Sequence, residues 1–230
     1  FAYGLALTTE DIYDNSYALI IGISEYQNMP HLNYGASDAE TIQNLLISQF
    51  DFPEENTRLL INDDATKNNI IRAFSDFTTL VGENDRFLIY FSGHAATQVV
   101  ENGVEKGYLM AVDSDPLDLY NSSIGMYEFN MISKLSLAKH ILYLVDATFG
   151  GISREGNANN INLDYYIILP DEINNRMNDI RRKLKLKAIE AAGYIGKKTN
   201  ALGRQVITAG GNSEQVIEKA EWGHSAFTKN

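Results

Sequence analysis

The sequence predicts an α/β fold with a mostly parallel central sheet of about six strands and helices on both of its faces. Short apolar runs without alternation recur along the chain, and such runs are typical of strands that are buried on both faces. Segments with apolar residues at helical spacing lie between them, as in helices that cover a sheet. Because strands and helices alternate, parallel pairing through right-handed crossovers is expected.

The first strand is predicted at residues 17–23, an apolar run that ends in a turn. Ser37 or Asp38 can cap the helix that follows, and this helix is expected to continue to Ser48. Its apolar residues share one face: Ala39, Ile42, Leu45 and Leu46. The helix is therefore expected to pack on the sheet beside the first strand.

The next three elements repeat this pattern. A short strand is predicted at residues 57–61, and an amphipathic helix is predicted at residues 65–80. Apolar residues at helical spacing form one face of this helix: Ile70, Ile71, Phe74 and Phe77. A third strand is predicted at residues 86–91, where the apolar run breaks at Ser92 and Gly93.

The second half of the chain continues the alternation. The predicted elements are a strand at residues 107–112, a helix at 126–135, and strands at 140–145 and 205–209. The strand at 107–112 is expected to extend the same parallel sheet.

The stretch before the last strand differs in composition from the rest. It is polar and rich in Gly and Asn at residues 150–162, and it is charged and predicted to be helical at residues 171–192. We interpret residues 152–203 as a variable linker or insert within a single domain, and residues 1–16 as an N-terminal extension.

Composition and charge exclude several classes of protein. Thirty acidic and nineteen basic side chains give a formal charge of −11, which argues against nucleic-acid binding. The negative charge suits cationic substrates, or it only keeps the protein soluble. The longest apolar runs are far shorter than the roughly 20 residues of a membrane helix, and no signal-peptide pattern opens the chain. Without any cysteine, disulfides and thiolate metal sites are excluded, and a cytoplasmic location is expected.

Three segments directly follow predicted strands, and they carry the candidate functional residues. They are residues 92–94, 146–151 and 208–211. The carboxyl ends of parallel strands lie at one edge of a sheet, where open α/β folds bind their ligands. We therefore expect the three segments to meet on one rim.

His94 and Asp146 are the titratable side chains of these segments. A histidine at a strand end with small neighbours suits a general base, although a histidine that only hydrogen-bonds within its loop fits the pattern as well. Asp146 is either held by hydrogen bonds or offered to a ligand. Gly150 and Gly151 either let backbone amides face an oxyanion or make a tight turn.

Residues 90–95 have the sequence Tyr-Phe-Ser-Gly-His-Ala, and residues 146–151 have the sequence Asp-Ala-Thr-Phe-Gly-Gly. Together they resemble motifs of the caspase and metacaspase superfamily of cysteine endopeptidases, particularly its prokaryotic members, which have Tyr-Phe-Ser-Gly-His-Gly and Asp-x-Cys-x-(Ser/Gly)-Gly. Further matches extend over residues 17–228, including Gly-His-Ser-Ala-Phe-Thr at 223–228. The resemblance implies the caspase-haemoglobinase-like fold and one peptidase domain over residues 1–230, truncated at its C-terminal end.

The resemblance also implies roles for individual residues. In this family a cysteine thiolate attacks the peptide carbonyl and a histidine manages the protons, which makes His94 the base. Gly93 and the nucleophile's own amide would hold the oxyanion. Thr148 stands where the family has its cysteine, or Ala147 does if the register slips by one residue. A threonine hydroxyl needs far stronger activation than a thiol, so the chain is expected to be inactive as a peptidase.

Two functions stay open on these residues. The chain is either a cysteine endopeptidase whose nucleophile has been replaced, or a natural pseudopeptidase that binds a partner or regulates an active relative. Ala95 stands where the family has glycine, and it would be strained if that position required a glycine-only conformation. A flavodoxin-like or receiver-like domain is disfavoured because no phosphate-type glycine loop follows the first strand.

Substrate preference follows from the resemblance as well. Family members with an aspartate two residues before the nucleophile generally cleave after Arg or Lys. Asp146 would therefore form the floor of a pocket for a basic side chain, with Asp38 or Asp113 as a second carboxylate. On sequence alone, Asp38 could instead cap its helix and Asp113 could belong to a turn. The expected partners are peptides or proteins with basic residues, and a regulatory protein is the alternative.

No cofactor is predicted, and calcium is the one alternative that stays open. Asp113, Asp115 and Asp118 are spaced as in a loop, and some family members bind calcium through aspartates. The spacing does not match a twelve-residue calcium loop, so no metal ligands are assigned.

Overall fold

A computed structural model describes residues 9, 12–100, 103–147, 202–209, 218–219, 224–225 and 228. The strands are β1 (Ser16–Gly22), β2 (Thr57–Ile61), β3 (Arg86–Ser92), β4 (Ala95–Val99), β5 (Glu105–Leu109), β6 (Ile124–Gly125), β7 (His140–Asp146), β8 (Gly203–Thr208), β9 (Glu218–Lys219) and β10 (His224–Ser225). The helices are α1 (Gly35–Gln49), α2 (Lys67–Leu80), α3 (Leu119–Ser122) and α4 (Met126–Leu135).

The central sheet has five strands in the order β2-β1-β3-β7-β8, and each neighbouring pair is parallel. The predicted α/β fold with a mostly parallel sheet is therefore confirmed, with five strands in the described part of the chain. The chain places β2 on one side of β1 and the later strands of this sheet on the other side. The strand order reverses beside β1, and open sheets bind ligands at the carboxyl ends of the strands at such a point.

Each face of the sheet has its own hydrophobic core, because alternate residues of a strand point to opposite faces. In β1, Leu19 and Ile21 belong to the core that includes α2 and α4, whereas Ala18 and Ile20 belong to the core that includes α1. All four side chains are fully or almost fully buried. Helices therefore cover both faces of the sheet, as the unbroken apolar runs predicted.

Helix α1 begins before its predicted cap. Its N-cap is Tyr34, so the interpretation in which Ser37 or Asp38 caps this helix is wrong. The hydroxyl of Ser24, in the loop after β1, accepts a hydrogen bond from the amide of Ala36 at 3.0 Å and satisfies one of the first helical amides. Asp38 consequently lies in the first turn of α1, where it is almost fully buried.

The close approach of α1 to β1 requires glycine at position 22. A Cβ atom there would lie 2.3 Å from the Cβ of Ala39 and 2.4 Å from the carbonyl oxygen of Gly35. Because α1 would have to move off the sheet, Gly22→Ala is expected to lower the free energy of unfolding by about 1–3 kcal/mol in urea denaturation. As a control, Leu80→Ala changes a side chain that is 57% exposed, and it should shift stability by at most about 0.5 kcal/mol. Equal losses in the two variants would contradict this explanation.

The strand predicted at residues 107–112 does not extend the central sheet, and this part of the prediction is wrong. The strand is β5, which pairs antiparallel with β4 and β6 in a separate three-stranded sheet. Strand β4, which begins directly after His94, was not predicted. Only residues 100–104 connect β4 to β5, and a connection this short permits an antiparallel hairpin but not a parallel crossover.

Several predictions fall on residues 148–201, which lie outside the described ranges. They include the helix at 171–192 and nearly all of the insert at 152–203. Strand β8 begins at Gly203, so the last predicted strand of the sheet is confirmed with an earlier start. The division into a single domain with an N-terminal extension stays a prediction. Among the helices of the described ranges, none has the length and apolar character needed to cross a membrane.

Candidate active site

The carboxyl ends of neighbouring strands bring the predicted functional segments together. Ser92 pairs with Asp146 in the register of β3 and β7. The amide of Ala209, after β8, donates to the carbonyl oxygen of Val145 at 2.9 Å. The expected convergence of the three strand-end segments on one rim is confirmed for those of their residues that the structure describes.

The amide of Gly93 continues the hydrogen-bond ladder between β3 and β7. It donates to the carbonyl oxygen of Asp146 at 3.3 Å. An amide engaged in this way can hold an oxyanion only by giving up its present acceptor. The assignment of Gly93 to the oxyanion stays a prediction, and it requires the end of β3 to separate from β7 when a peptide reacts.

His94 lies two residues after the end of β3 and is half-buried at the rim. Its Nε2 lies 2.9 Å from the carbonyl oxygen of Pro30. A carbonyl oxygen can only accept a hydrogen bond, so the hydrogen of the neutral ring is on Nε2 and the lone pair is on Nδ1. An imidazole held in this form can take up a proton at Nδ1, as a general base must. No sequence pattern pointed to Pro30, because only its main-chain carbonyl is used.

Asp146 is buried beneath the rim, with 4% of its surface exposed. Its Oδ2 accepts hydrogen bonds from the hydroxyls of Ser225, Thr228 (3.1 Å) and Tyr90 (3.4 Å). Its Oδ1 is buried and has no hydrogen-bond partner among the described residues. Burial raises the pKa of this carboxyl above its ordinary value, and the hydrogen bonds from the hydroxyls oppose that rise. A buried oxygen without a partner is costly, and a ligand could remove that cost.

Asp38 and Asp146 share Ser225 as a hydrogen-bond partner. The amide of Ser225 donates to Oδ2 of Asp38 at 3.1 Å, while its hydroxyl donates to Asp146. The Nδ1 of His224 lies 2.7 Å from Oδ1 of Asp38. The negative charge of Asp38 also contributes to the raised pKa of Asp146. Two of the three carboxylates predicted to bind substrate are therefore gathered around β10.

Asp113 is placed differently. Its Oδ1 accepts a hydrogen bond from the amide of Lys67 at 2.9 Å, at the N-terminus of α2. Asp115 and Asp118 accept hydrogen bonds from amides of residues 117 and 121 in the same loop and helix α3. In the described ranges, no group of three or more His, Cys, Asp or Glu residues is arranged to hold a metal ion. These three carboxylates accept hydrogen bonds from backbone amides in turns and at helix ends.

The predicted nucleophile position, Thr148, lies outside the described residues. Its neighbour Ala147 is described, and only 2% of its surface is exposed. Position 148 keeps the family's spacing to Asp146 and Gly151, which favours it over the alternative at 147. Both assignments stay predictions.

Alanine at position 95 is not strained. Ala95 begins β4, and the non-glycine residues with positive φ in the described ranges are Asp51 and Asn62. The position after His94 therefore does not require a glycine-only conformation.

Several side chains that complete the site were not predicted from the sequence. Ser225 and Thr228 bind Asp146, and they lie in the segment Gly-His-Ser-Ala-Phe-Thr that resembles the family. That match was the one signal that could have identified them. Tyr90 opens the segment Tyr-Phe-Ser-Gly-His-Ala, which also resembles the family, but the apolar pattern of its strand does not distinguish a hydroxyl that binds Asp146 from a side chain that only fills the core.

A parallel sheet with a histidine and a buried aspartate at adjacent strand ends, joined by a second aspartate from the first helix, matches a caspase-like peptidase domain. The family profile described as "Caspase domain" matches residues 15–210, and the chain belongs to this family.

Individual relatives agree with this assignment. Metacaspase-1 of Eremothecium gossypii is 34% identical over 86 residues, which are 35% of this chain and 19% of that protein. Metacaspase-2 of Arabidopsis thaliana is 29% identical over 100 residues, which are 41% of this chain and 24% of that protein. The matches thus span a quarter or less of each relative. The crystal structure of a Geobacter sulfurreducens protein superposes on this chain with a TM-score of 0.58 and 17% sequence identity. The superposition covers 93% of this chain and 79% of the Geobacter chain, so the two share a fold.

Proposed function

We propose that this domain binds peptides so that one peptide bond lies beside His94 and the residue before that bond is Arg or Lys. The domain holds such peptides without cutting them. The observation that carries the proposal is the buried Oδ1 of Asp146, which has no partner among the described residues. A guanidinium or ammonium group beside this oxygen would gain a charge-assisted hydrogen bond and complete a buried acceptor. The net charge of −11 favours the approach of cationic peptides.

Asp38 adds negative charge close to Asp146. It is 1% exposed, and both of its oxygens are already bound, by His224 and by the amide of Ser225. An incoming cation is therefore expected to contact Asp146 directly and to be attracted by Asp38 through space.

His94 supplies the proton acceptor of the proposed site at Nδ1. In a cysteine peptidase, a thiol with a pKa of about 8.5 would give its proton to that nitrogen before attacking the peptide carbonyl. The hydroxyl of Thr148 is much less acidic than a thiol. No acyl-enzyme is therefore expected, and a bound peptide stays intact.

The proposal can be tested on the unmodified chain with peptides that differ only in the residue before the peptide bond that lies beside His94. Fluorescence anisotropy with Arg, Lys, Asp and Leu peptides is expected to give dissociation constants that are lower for the Arg and Lys peptides by about tenfold or more. Equal affinity for all four peptides, or a preference for the Asp peptide, would overturn the proposal.

A regulatory binding module is the second candidate function, because the chain contains no cysteine at all. Such a module would use the same pocket to hold a basic segment of a partner protein. It shares the prediction for peptide binding, but it also predicts that no single substitution creates cleavage. A thiol restored at position 148 separates the two candidates.

A further inference from the structure

The main chain of His94 is held by a closed set of hydrogen bonds. Its amide donates to the hydroxyl of Tyr26 at 2.7 Å, and its carbonyl oxygen accepts from the amide of Met110 at 2.9 Å. The hydroxyl of Tyr26 in turn donates to the carbonyl oxygen of Met110 at 3.3 Å. The loop after β1, the connection between β3 and β4, and the residue after β5 are thereby tied together at the histidine.

Tyr26 is suited to make both of its hydrogen bonds. Only 3% of its surface is exposed, and burial raises the pKa of its hydroxyl, so the hydroxyl keeps its hydrogen at neutral pH. A neutral hydroxyl has one hydrogen to donate and lone pairs that accept, which matches the bonds to Met110 and His94. The ring also lies against the imidazole, with centroids 4.8 Å apart and an angle of 45° between the planes.

Gly93 shows how closely the main chain approaches Tyr26. A Cβ atom at position 93 would lie 2.4 Å from the hydroxyl oxygen of Tyr26 and 3.0 Å from the Cζ of Phe91. The main chain before His94 therefore rests directly on the tyrosine hydroxyl. This contact accounts for glycine at position 93 by steric fit.

We propose that Tyr26 is a positioning residue for His94. Its hydroxyl anchors the main chain of the histidine, and its ring orients the imidazole so that Nε2 meets the carbonyl of Pro30 and Nδ1 faces the bound peptide. This inference rests on the proposed role of His94 as the base, and it extends that role by naming the side chain that fixes the base in place.

Tyr26→Phe tests the proposal, because it removes one oxygen and leaves the ring. In nitrogen-15 NMR of the unmodified chain, a protected His94 amide and a single Nε2–H tautomer of the neutral ring are expected. In Tyr26→Phe, the His94 amide should exchange faster by about tenfold or more, and the Nδ1–H tautomer should appear beside the first. A purely structural role for Tyr26 would not change the tautomer.

Tyr143→Phe is the matched control. Tyr143 is also buried, and its hydroxyl donates to the carbonyl oxygen of Phe129 at 3.1 Å, between β7 and α4. Its removal should leave the His94 amide and ring signals unchanged. If Tyr26→Phe leaves His94 unchanged, or if Tyr143→Phe alters it equally, the proposal is wrong.

Gly93→Ala disturbs the same contact between Tyr26 and the main chain before His94, but it changes the main-chain partner. This variant tests the proposal if Tyr26→Phe does not fold. Its methyl group would displace the tyrosine hydroxyl, so faster His94 exchange and a mixture of tautomers are expected. An undisturbed His94 in this variant would overturn the proposal. These measurements need neither binding nor cleavage of a peptide, so their result is independent of the proposed substrate.

Discussion

Thr148→Cys is expected to make the chain an endopeptidase that cleaves after Arg and Lys. Removing the nucleophile from a hydrolase with covalent chemistry costs up to about 10⁶ in kcat, so the gain should be about 10³-fold or more. The new thiol would give its proton to Nδ1 of His94, since Nε2 is engaged by the carbonyl of Pro30. Release of a fluorophore from peptides with Arg or Lys before the dye measures the rate.

Two further variants give this experiment its controls. Ala147→Cys places the same thiol one residue earlier, out of the family's spacing to Asp146 and Gly151, and it should be inactive. Adding His94→Ala to Thr148→Cys should reduce the gained activity by about 10²-fold or more. Cleavage by Ala147→Cys alone would move the nucleophile position by one residue. If neither cysteine variant cleaves while peptide binding persists, the regulatory binding module is favoured.

Asp146→Asn is expected to abolish the preference for basic peptides. The amide oxygen of Asn can still accept hydrogen bonds from the surrounding hydroxyls, but the side chain has no charge to pair with Arg. A hydrogen bond to a charged group contributes about 1.5–3 kcal/mol, so the affinity for an Arg peptide should fall by roughly tenfold to 150-fold. The affinity for a Leu peptide should change little.

The same substitution is expected to stabilise the fold at neutral pH. Burial raises the pKa of Asp146, so this group stabilises the folded chain below its unfolded pKa, and that contribution is lost as the pH rises through the folded pKa. Asn does not ionise, so the variant does not lose this stability as the pH rises. The urea midpoint of Asp146→Asn should exceed that of the unmodified chain at neutral pH, and the difference should shrink toward acid pH. A less stable variant at neutral pH would contradict the cost assigned to this carboxylate.

Asp113→Asn is the matched control for the effect on binding. It makes the same chemical change at a carboxylate that accepts the amide of Lys67 at the start of α2. Peptide affinity should therefore be unchanged, with a loss of stability of about 0.3–1 kcal/mol because the negative charge beside the N-terminus of α2 is removed. A loss of affinity as large as that of Asp146→Asn would make Asp113 part of the pocket.

The order of strands and helices in the central sheet could be predicted because its signals are local. An unbroken apolar run such as β3 can be buried on both faces only in a covered sheet, and the helical spacing between runs indicated the covering helices. The separate sheet of β4, β5 and β6 could not be predicted in this way. The residue pattern of a hairpin indicates its two strands but not which sheet they belong to.

The site was predictable to the same extent. His94 and Asp146 lie at the carboxyl ends of buried neighbouring strands, so their placement at one edge of the sheet could be deduced from the topology. Asp38 and Asp113 look alike in the sequence, and only burial and partners separate them. Tyr26 is 68 residues from His94 in the sequence, and their hydrogen bond depends on how the loop after β1 packs on β3.

We propose above all that Oδ1 of Asp146, which has no partner among the described residues, receives the charge of a basic side chain. Two peptides that differ only in having Arg or citrulline test this directly, because citrulline keeps the shape of arginine and lacks its charge. By isothermal titration calorimetry with the unmodified chain, we expect the Arg peptide to bind more tightly by about tenfold or more, and we expect this difference to vanish in Asp146→Asn. Equal binding of the two peptides by the unmodified chain would contradict the claim.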